Sequence, residues 1–378
     1  MQQIPKMLHK TILVTGGAGF IGSFLVDELI AKNYKVRIFD NLEKQVHNGK
    51  KPSYLNKKAQ FIKGDVRNYN AFKKAVQGMD AIFHLAAAVG VGQSNYEVKK
   101  FSDTNLGGLA NLLDILVNTK HKVKKIITNS SMTGLGEGNY ECNKCGFVRP
   151  SLRTEEQLQQ ADWQIKCPKC RGKINSVATP EDANEYPNSI YAITKKTQQD
   201  MLMLFGKIYK VPTIALRCFN VYGPRQSLSN PYTGVTAIFI SRIKNNQKAV
   251  VYEDGLQSRD FISVHDVVDA LILSLEGNRA DYSVINMGSG HPTSIKEIAE
   301  TISRLLGKPG MVKISQDYRL NDIRHCFADI TKAQKLLGWT PKVTLEEGFK
   351  ELIEWSEGEK AIDNFSSAEK ELKIKGLL

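Results

Sequence analysis

The segment TILVTGGAGFIG, residues 11–22, constrains the fold of this chain more than any other. It joins a buried strand to a segment with helical spacing through three glycines, Gly16, Gly19 and Gly22. Glycines permit the tight turn and let a pyrophosphate approach the backbone, and the helix N-terminus offers unpaired N–H groups to phosphates. An ordinary strand-to-helix turn is the alternative. Because Asp40 ends the next strand, where an acid binds ribose hydroxyls and repels a 2′-phosphate, we predict dinucleotide binding, with NAD favoured over NADP.

Strand and helix patterns alternate through the first 220 residues, as they do in proteins with a parallel sheet. From about residue 221 onward this rhythm loosens into loops, short helices and turns. The pattern therefore predicts the α/β class. Further strands are predicted at 35–40, 60–66, 81–87, 124–131 and 213–220, and helices at 20–33, 105–119 and 192–209.

The 378 residues carry a formal net charge of +13, but the lysines and arginines are scattered. We therefore expect most of this charge on a solvated face rather than on a nucleic-acid or membrane surface. No secretory signal is recognisable, and no stretch reaches the roughly 18 apolar residues of a membrane span. Six cysteines, four of them in CxxC pairs, suit a reducing compartment, so we expect a cytoplasmic protein.

Two CxxC pairs in the middle of the chain have the spacing of a metal site. Cys142 and Cys145 form the first pair, and Cys167 and Cys170 the second. Four thiolates predict a closed, tetrahedral and structural Zn²⁺ site, whereas a catalytic zinc keeps an open position. An iron–sulfur cluster, disulfides and free thiols are the alternatives. The two other cysteines are expected to be core thiols; they are Cys218 and Cys326.

The segment SIYAITKK places Tyr191 and Lys195 four residues apart, on one face of a predicted helix. A lysine in that position lowers the pKa of the phenol by its charge, which makes the tyrosine a usable base near neutral pH. Ser130 and Ser131 end a predicted strand upstream. After a dinucleotide-binding turn, this constellation predicts an oxidoreductive active site.

At this point the chain resembles a known family, the NAD-dependent epimerase/dehydratase branch of the extended short-chain dehydrogenase/reductases. The motifs are TGGAGFIGS, FDNL, GDVRN, HLAA, NLGG, NSS, YAITKK, LRCFNVYGP, SRDFISVHDV and INMGSG. The resemblance implies a doubly wound Rossmann domain in residues 10–220 and a mainly substrate-binding domain in 221–355, from which the chain can return to the sheet. Residues 356–378 are expected to form a charged C-terminal tail. It also implies a homodimer formed through two helices of each subunit.

The resemblance implies roles for individual residues. Tyr191 matches the catalytic base and acid, Lys195 its ribose-binding partner, and Ser131 the residue that bonds the reacting hydroxyl, with Ser130 as the alternative register. Asn220 and Arg259 match positions that hold the diphosphate of the substrate; without the resemblance, an ion pair of Arg259 with Asp260 is expected. Asp65 has a turn role as its alternative. The implied cofactor contacts, besides Tyr191 and Lys195, are Gly16, Gly19, Phe20, Ile21, Gly22, Asp40, Asn41, Asp65, Val66, Leu85, Ala86, Ala87 and Asn105.

The residues after Ser131 narrow the reaction. Family dehydratases carry an Asp-Glu pair there, and here the positions hold Met132 and Thr133. What remains is 4-epimerisation of a nucleotide sugar with tightly held NAD, and the chain resembles the dTDP-L-rhamnose 4-epimerase group, whose product is a 6-deoxy-L-talose nucleotide. A UDP-hexose epimerase and a nucleotide-sugar dehydratase or oxidoreductase are the alternatives. A nucleic-acid-binding zinc ribbon or a scaffold is the alternative outside enzymes.

Tyr191 lies 60 positions after Ser131, whereas the two residues are much closer in the family. Residues 137–178 are therefore predicted to be an insertion between two halves of one active site. A segment of this length has little core of its own, and a metal can supply the missing folding energy. We expect a zinc-held flap at the substrate entrance that shapes sugar selectivity or the dimer contact.

Overall fold

The computed structural model describes residues 10–232 and 234–377, so the last residue of the predicted tail lies outside the described part. The strands are β1 (Thr11–Thr15), β2 (Lys35–Asp40), β3 (Gln60–Lys63), β4 (Ala81–His84), β5 (Lys125–Ser131), β6 (Asn139–Cys142), β7 (Gly146–Val148), β8 (Asn175–Val177), β9 (Thr213–Cys218), β10 (Asn220–Tyr222), β11 (Ala249–Val251), β12 (Ser258–Ser263), β13 (Ser283–Met287), β14 (Pro292–Ser294), β15 (Val312–Ile314) and β16 (His325–Cys326). The helices are α1 (Phe20–Ala31), α2 (Lys44–His47), α3 (Tyr69–Val76), α4 (Val91–Ser94), α5 (Val98–Phe101), α6 (Gly108–Asn118), α7 (Glu155–Gln159), α8 (Ile190–Tyr209), α9 (Val235–Lys244), α10 (Val264–Glu276), α11 (Ile295–Leu305), α12 (Thr331–Leu337), α13 (Leu345–Glu357) and α14 (Phe365–Ile374). A π-helical turn, Ser102–Gly107, precedes α6, and a 3₁₀ turn, Met132–Leu135, follows β5.

A seven-stranded parallel sheet forms the centre of the molecule, in the order β13-β9-β5-β4-β1-β2-β3. The α/β fold class and the Rossmann-type sheet predicted from the sequence are therefore confirmed. The strand order reverses between β1 and β4. In sheets of this kind, ligands bind in the crevice at that point, beyond the carboxyl ends of the strands.

Helices cover both faces of this sheet, which explains why its strands are runs of apolar residues rather than alternating ones. Leu25 and Leu29 of α1 and Val267 and Leu271 of α10 belong to the core on one face. Residues of α3, α6 and α8 form the core on the other face. Strand β13 comes from residues 283–287, so the chain re-enters the sheet from its C-terminal part.

The predicted strand 213–220 is wrong in one respect, because it divides into β9 and β10 in two different sheets. The backbone N–H of Phe219 donates to Met287 O at 2.9 Å, and that of Val221 donates to Phe219 O at 3.0 Å. This tight turn takes the chain out of the central sheet. As a consequence, Asn220 lies in a smaller sheet, paired with Phe261 of β12.

The C-terminal part forms a second lobe around its own core. Strands β10, β12, β14 and β16 make one small sheet, and β11 and β15 make another. Helices α9, α11 and α13 contribute apolar residues to the core of this lobe. The charged tail contains helix α14, which buries Ala368 and Leu372. No helix in the described part of the chain is long and apolar enough to span a bilayer.

The insertion between Ser131 and Tyr191 folds as a small unit of its own. Strands β7, β6 and β8 pair in that order as an antiparallel sheet, and α7 precedes the second cysteine pair. Its apolar core is small, as expected for so short a segment. The buried members of that core are Tyr140, Cys142, Val148, Ile165 and Cys167.

His84, at the end of β4, is buried in the central sheet. It is 1% exposed, its Nδ1 lies 3.1 Å from Thr15 Oγ1, and its ring stacks on Phe72. Burial, together with the charge of Lys195, lowers the pKa of His84 to about 3. Between pH 6.5 and 3 the unfolded chain therefore binds a proton at this position that the folded chain does not, and stability is lost as the pH falls through that window.

Replacing His84 with asparagine should flatten this dependence. The free energy of unfolding in urea should fall less steeply between pH 6 and 4 in His84→Asn than in the wild type, by about 1.4 kcal/mol per pH unit for one proton. The exposed His291→Asn serves as the matched control. Equal slopes for the wild type and His84→Asn would contradict the prediction.

Candidate functional site

The glycine turn after β1 is packed so tightly that side chains do not fit. Gly16 has φ +69°, and a Cβ on Gly22 would lie 2.2 Å from Gly16 O. Gly19 caps the N-terminus of α1, where its extended backbone leaves the first N–H groups of the helix free for a ligand. Phe20 and Ile21 form the first turn of α1 and are half-buried. The geometry of this turn is one that can hold a pyrophosphate.

Asp40 lies beside this turn at the carboxyl end of β2. Its Oδ2 accepts a hydrogen bond from Ala18 N at 3.0 Å, and its Oδ1 accepts one from Leu42 N at 2.8 Å. These bonds hold the carboxylate at the glycine turn. Asn41 follows, and its side-chain amide donates to Asp65 Oδ2 at 3.0 Å. The two acids are thus linked along the edge of the sheet.

Asp65 is engaged locally as well. Arg67 donates to its Oδ1 from Nε at 2.9 Å and to its Oδ2 from Nη2 at 2.7 Å, and the backbone N–H of Arg67 closes a turn on Oδ1. Burial acts to raise the pKa of Asp65, but the hydrogen bonds from Arg67 and Asn41 prevail and lower it to about 2. Asp65 therefore has the turn-forming role that was its alternative. Val66 beside it is buried against Gly108.

The segment after β4 closes the other side of the crevice. Leu85 N donates to Thr15 O, and Ala86 N donates to Thr15 Oγ1, so this segment, which continues into Ala87, follows β1 closely. Asn105 is fully buried and exchanges hydrogen bonds with the backbone of Ala88. Its Nδ2 also donates to Thr194 Oγ1 at 3.0 Å, which ties the segment to α8.

The structure brings Tyr191 and Ser131 together. The Ser131 hydroxyl lies near enough to the Tyr191 phenol to influence its pKa, and Ser131 Oγ accepts a hydrogen bond from Thr133 Oγ1 at 2.9 Å. Burial raises the pKa of Tyr191 to about 12, while the Ser131 hydroxyl acts in the opposite direction. Ser130 points elsewhere, since its Oγ donates to Gln199 Oε1 at 2.9 Å.

Lys195 lies one turn after Tyr191 on α8, as the spacing predicts, but its charge is directed elsewhere. Its Nζ donates to Gln198 Oε1 at 2.5 Å. Burial lowers the pKa of Lys195 to about 8, with the nearby Cys218 thiol acting to raise it. The expected lowering of the Tyr191 pKa by Lys195 is therefore not what this arrangement produces; the lowering effect comes from Ser131.

The two predicted diphosphate ligands lie in the second lobe. Asn220 Oδ1 is a buried acceptor that finds no hydrogen-bond partner among the described residues. Arg259 is not paired with Asp260, so that alternative is wrong. It donates from Nη2 to Asp322 Oδ1 at 3.0 Å and to Ile323 O at 2.7 Å. Asp260 instead accepts from backbone N–H groups, among them Gly290 and Ala328, because it is fully buried.

The four cysteines of the two CxxC pairs meet at one point in the insertion. Their Sγ atoms all lie within 4.8 Å of one another, and those of Cys142 and Cys170 are 3.6 Å apart. Four thiolates around a zinc ion at ~2.3 Å would be spaced by roughly 3.8 Å, so the donor set and its size fit such an ion. Cys218 and Cys326 are buried apart from this cluster, as expected.

Some residues that shape the site were not predicted. Ser94 Oγ and Asn95 Oδ1 accept the backbone N–H groups of Tyr191 and Ile190, and so fix the first turn of α8. Their distance in sequence gives no signal for this contact. Arg319, whose side chain is 47% exposed and lies over the ring of Tyr252, is a cation beside Arg259 that the sequence reading also missed.

The two halves of the chain match models of related families. Residues 12–149 match the NAD dependent epimerase/dehydratase family, and residues 169–352 match GDP-mannose 4,6 dehydratase. The 19 residues between the two matches, 150–168, belong to the insertion.

Relatives and solved structures cover nearly the whole chain. The dTDP-L-rhamnose 4-epimerase of Burkholderia thailandensis is 35% identical over 92% of this chain and 94% of its own. The UDP-glucose 4-epimerase of Thermotoga maritima, solved with UDP-glucose, has a TM-score of 0.76 and 31% identity over 92% of this chain and 98% of its own. The UDP-glucuronic acid 4-epimerase of Bacillus cereus, solved with UDP-glucuronic acid and NAD, has a TM-score of 0.75 and 26% identity over 92% and 99%. With this similarity, the glycine turn and the Ser131–Tyr191 pair in place, the chain belongs to the NAD dependent epimerase/dehydratase family of enzymes.

Proposed function

We propose that the protein is an NAD-dependent nucleotide-sugar 4-epimerase, with dTDP-L-rhamnose and dTDP-6-deoxy-L-talose as its substrate pair. The observation that carries the reaction type is the proximity of Ser131 to Tyr191, one helical turn before Lys195, with Met132 and Thr133 rather than acids directly after Ser131. Oxidation and re-reduction at one carbon need a base and an acid for one hydroxyl proton, and nothing more from the protein.

The chain's own residues supply that proton chemistry. Tyr191 removes the proton from the hydroxyl on carbon 4 and later returns it, and Ser131 bonds the same hydroxyl and the Tyr191 oxygen. Lys195, one turn further along α8, binds the cofactor ribose. The substrate turns between the two hydride steps, so its 4-keto form is reduced on the other face. Bound NAD supplies the hydride acceptor and donor.

The residues around the crevice fit an NAD molecule. The cradle of Gly16, Gly19 and Gly22 suits the pyrophosphate, and Asp40 suits the adenosine ribose and disfavours a 2′-phosphate. The NAD in the structure of the Bacillus cereus relative supports this assignment.

A dehydratase is the main rival, and one of the two family models carries that name. A sugar dehydratase must protonate a leaving hydroxyl, for which the family uses an acidic pair after the catalytic serine or threonine. Here Met132 is buried, and Thr133 donates to Ser131. This favours epimerisation.

The choice of sugar nucleotide rests on similarity. The 35% identity to a dTDP-L-rhamnose 4-epimerase supports that substrate, and the UDP-glucose and UDP-glucuronic acid relatives support UDP-hexoses as the rivals. A direct assay decides between them. Purified protein with NAD should convert dTDP-L-rhamnose to a second sugar with changed proton 4 couplings in NMR, at unchanged mass and without net NADH. Loss of mass by one water would indicate a dehydratase instead.

The matched variant for this assay is Tyr191→Phe, which keeps the ring and removes the hydroxyl. Turnover should fall by about 10²- to 10⁴-fold, while the NAD content of the protein is unchanged. A panel of UDP-, GDP- and other dTDP-sugars follows if dTDP-L-rhamnose is not converted. Absence of turnover on the whole panel would contradict the proposed class.

The pH profile tests the role of the Ser131–Tyr191 pair. Tyr191 acts as a base only when it is deprotonated, so kcat/KM should rise with pH. Ser131 stabilises the phenolate and lowers its pKa, so Ser131→Ala should move the rising limb to higher pH in addition to lowering the rate. Ser130→Ala is the matched control and should leave the limb in place. A limb that moves in Ser130→Ala and not in Ser131→Ala would assign the role to Ser130.

We further propose a structural Zn²⁺ at the four-cysteine cluster, because four sulfurs within 4.8 Å suit a closed site and the insertion has a small core. The metal would hold the insertion folded and take no part in the reaction.

Metal analysis should find about one zinc per chain. Cys145→Ser should lose the zinc, whereas Cys326→Ser, which replaces a buried thiol outside the cluster, should keep it. Chelation should raise KM for the nucleotide sugar more than it lowers NAD content. Equal loss of both, or a zinc-free protein of unchanged stability, would contradict the proposal.

We also propose a homodimer in a reducing, cytoplasmic compartment. Ile193, Leu204 and Ile208 are exposed on one face of α8, and Val117 is exposed on α6, which supports pairing through these helices. All six cysteines are free in the structure, which supports the compartment. A monomeric mass in analytical ultracentrifugation would contradict the homodimer. A disulfide in protein isolated from its native cells would contradict the reducing compartment.

A further inference from the structure

A buried ion pair joins the insertion to the second lobe. Arg153, two residues before α7, donates from Nη1 and Nη2 to the two carboxylate oxygens of Glu253 at 2.7 and 2.9 Å. The two side chains are 1% and 3% exposed. The same guanidinium donates to the carbonyl oxygens of Trp163 and Asp322 at 3.3 and 3.1 Å. A buried pair is tolerated only with good geometry and further hydrogen bonds, which the two Nη atoms of Arg153 make, so the geometry of the pair is tightly specified.

The ion pair continues through Arg324, whose side chain is fully buried. Arg324 donates to Glu253 at 2.8 Å and to both oxygens of Asp254 at 2.7 Å. The insertion contacts the same point a second time, because Glu137 accepts the backbone N–H groups of Arg324 and His325 at 2.7 Å each. The insertion therefore holds Arg324 in two ways. Arg153 fixes Glu253, which accepts from the Arg324 side chain, and Glu137 accepts the backbone N–H of Arg324.

The segment held in this way, residues 319–325, forms a wall beside the catalytic pair. Asn188, three residues before Tyr191, donates from Nδ2 to Asn321 O at 2.5 Å. Ile323 packs in one small core with Met132 and Leu135, which follow Ser131. Arg259 donates to the backbone of Ile323 and Arg324 and to the side chain of Asp322. The orientation of Arg259 therefore depends on where this segment lies.

The buried centre of the network, formed by Arg153, Glu253 and Arg324, leaves its members little freedom. It contains four arginines and four carboxylates, so its formal charge is zero; these are Arg153, Arg259, Arg319 and Arg324 with Glu137, Glu253, Asp254 and Asp322. In a buried site of low dielectric, displacing one charge disturbs its neighbours. Glu253 has φ +53°, a conformation that a non-glycine residue keeps only when its surroundings hold it.

We propose that Arg153 is a positioning residue for substrate binding. From the insertion it fixes Glu253 and, through Arg324, the wall on which Arg259 is oriented toward the diphosphate of a nucleotide sugar. The insertion then acts as a rigid brace behind the substrate lobe rather than as a mobile flap. This inference rests on the proposed function, because it concerns the nucleotide-sugar site.

Steady-state kinetics of Arg153→Met test the proposal. KM for the nucleotide sugar should rise about tenfold, with kcat within about twofold of the wild type, because the wall serves binding and not the proton transfer. NAD content should not change. The matched control is Arg171→Met, an exposed arginine of the same insertion, which should behave as the wild type. A fall in kcat at unchanged KM, or equal behaviour of the two variants, would overturn the proposal.

Arg153→Met leaves Glu253 buried without its partner and can prevent folding, so Arg153→Lys is measured beside it. Lysine keeps the charge but lacks the planar fork, and it should give a smaller rise in KM. Calorimetric titration with dTDP and UDP measures binding without turnover. The dissociation constants should rise in the same order as KM, from the wild type through Arg153→Lys to Arg153→Met. If a folded Arg153→Lys bound dTDP and UDP as tightly as the wild type, or if it lost NAD together with these nucleotides, the inference about Arg153 would be overturned and the proposed function would stand. A wild-type protein that binds neither nucleotide and turns over no sugar would overturn the proposed function as well.

Discussion

A parallel sheet that is covered by helices on both faces leaves its strands only one place for chemistry, the edge at their carboxyl ends. In this protein most of the groups predicted for the cofactor or the proton transfer in the first lobe lie at that edge; the others are on α1, in the π-helical turn before α6 and on α8. Gly16 follows β1, Asp40 ends β2, Asp65 follows β3, and Ser131 ends β5. The groups to which we assign binding and proton exchange thus lie where the strands stop, and the buried strands behind that edge keep their positions fixed.

The same constraint explains how much could be predicted. Residues at the end of a strand, such as Asp40 and Ser131, have positions that the strand pattern and the family motifs determine together. The alternation of elements was enough for the sheet, because strands buried on both faces are continuous apolar runs. The end of β9 was not predictable in this way, because the turn at Phe219 depends on a backbone bond to Met287, a residue far away in sequence.

Side-chain direction was the least predictable property. Lys195 has the spacing expected of a partner for Tyr191, but its ammonium group is bonded to Gln198, and burial dominates the pKa of the phenol. Arg259 has a neighbouring acid in sequence, yet strand geometry sends Asp260 to the opposite face of β12. The buried pair of Arg153 and Glu253 joins two segments that no short-range pattern relates. These contacts decide how the two lobes and the insertion act together, and they exist only in the folded chain.

The central claim is that the hydride leaves carbon 4 of the sugar and returns to the same carbon within one binding event. The most direct test uses the nucleotide sugar that the protein converts, deuterated at carbon 4, in ordinary water. The account predicts that the product keeps its deuterium at carbon 4 and forms more slowly than from the unlabelled substrate. A product that carries solvent hydrogen at carbon 4 would contradict it, since that outcome requires removal of a proton rather than transfer of a hydride.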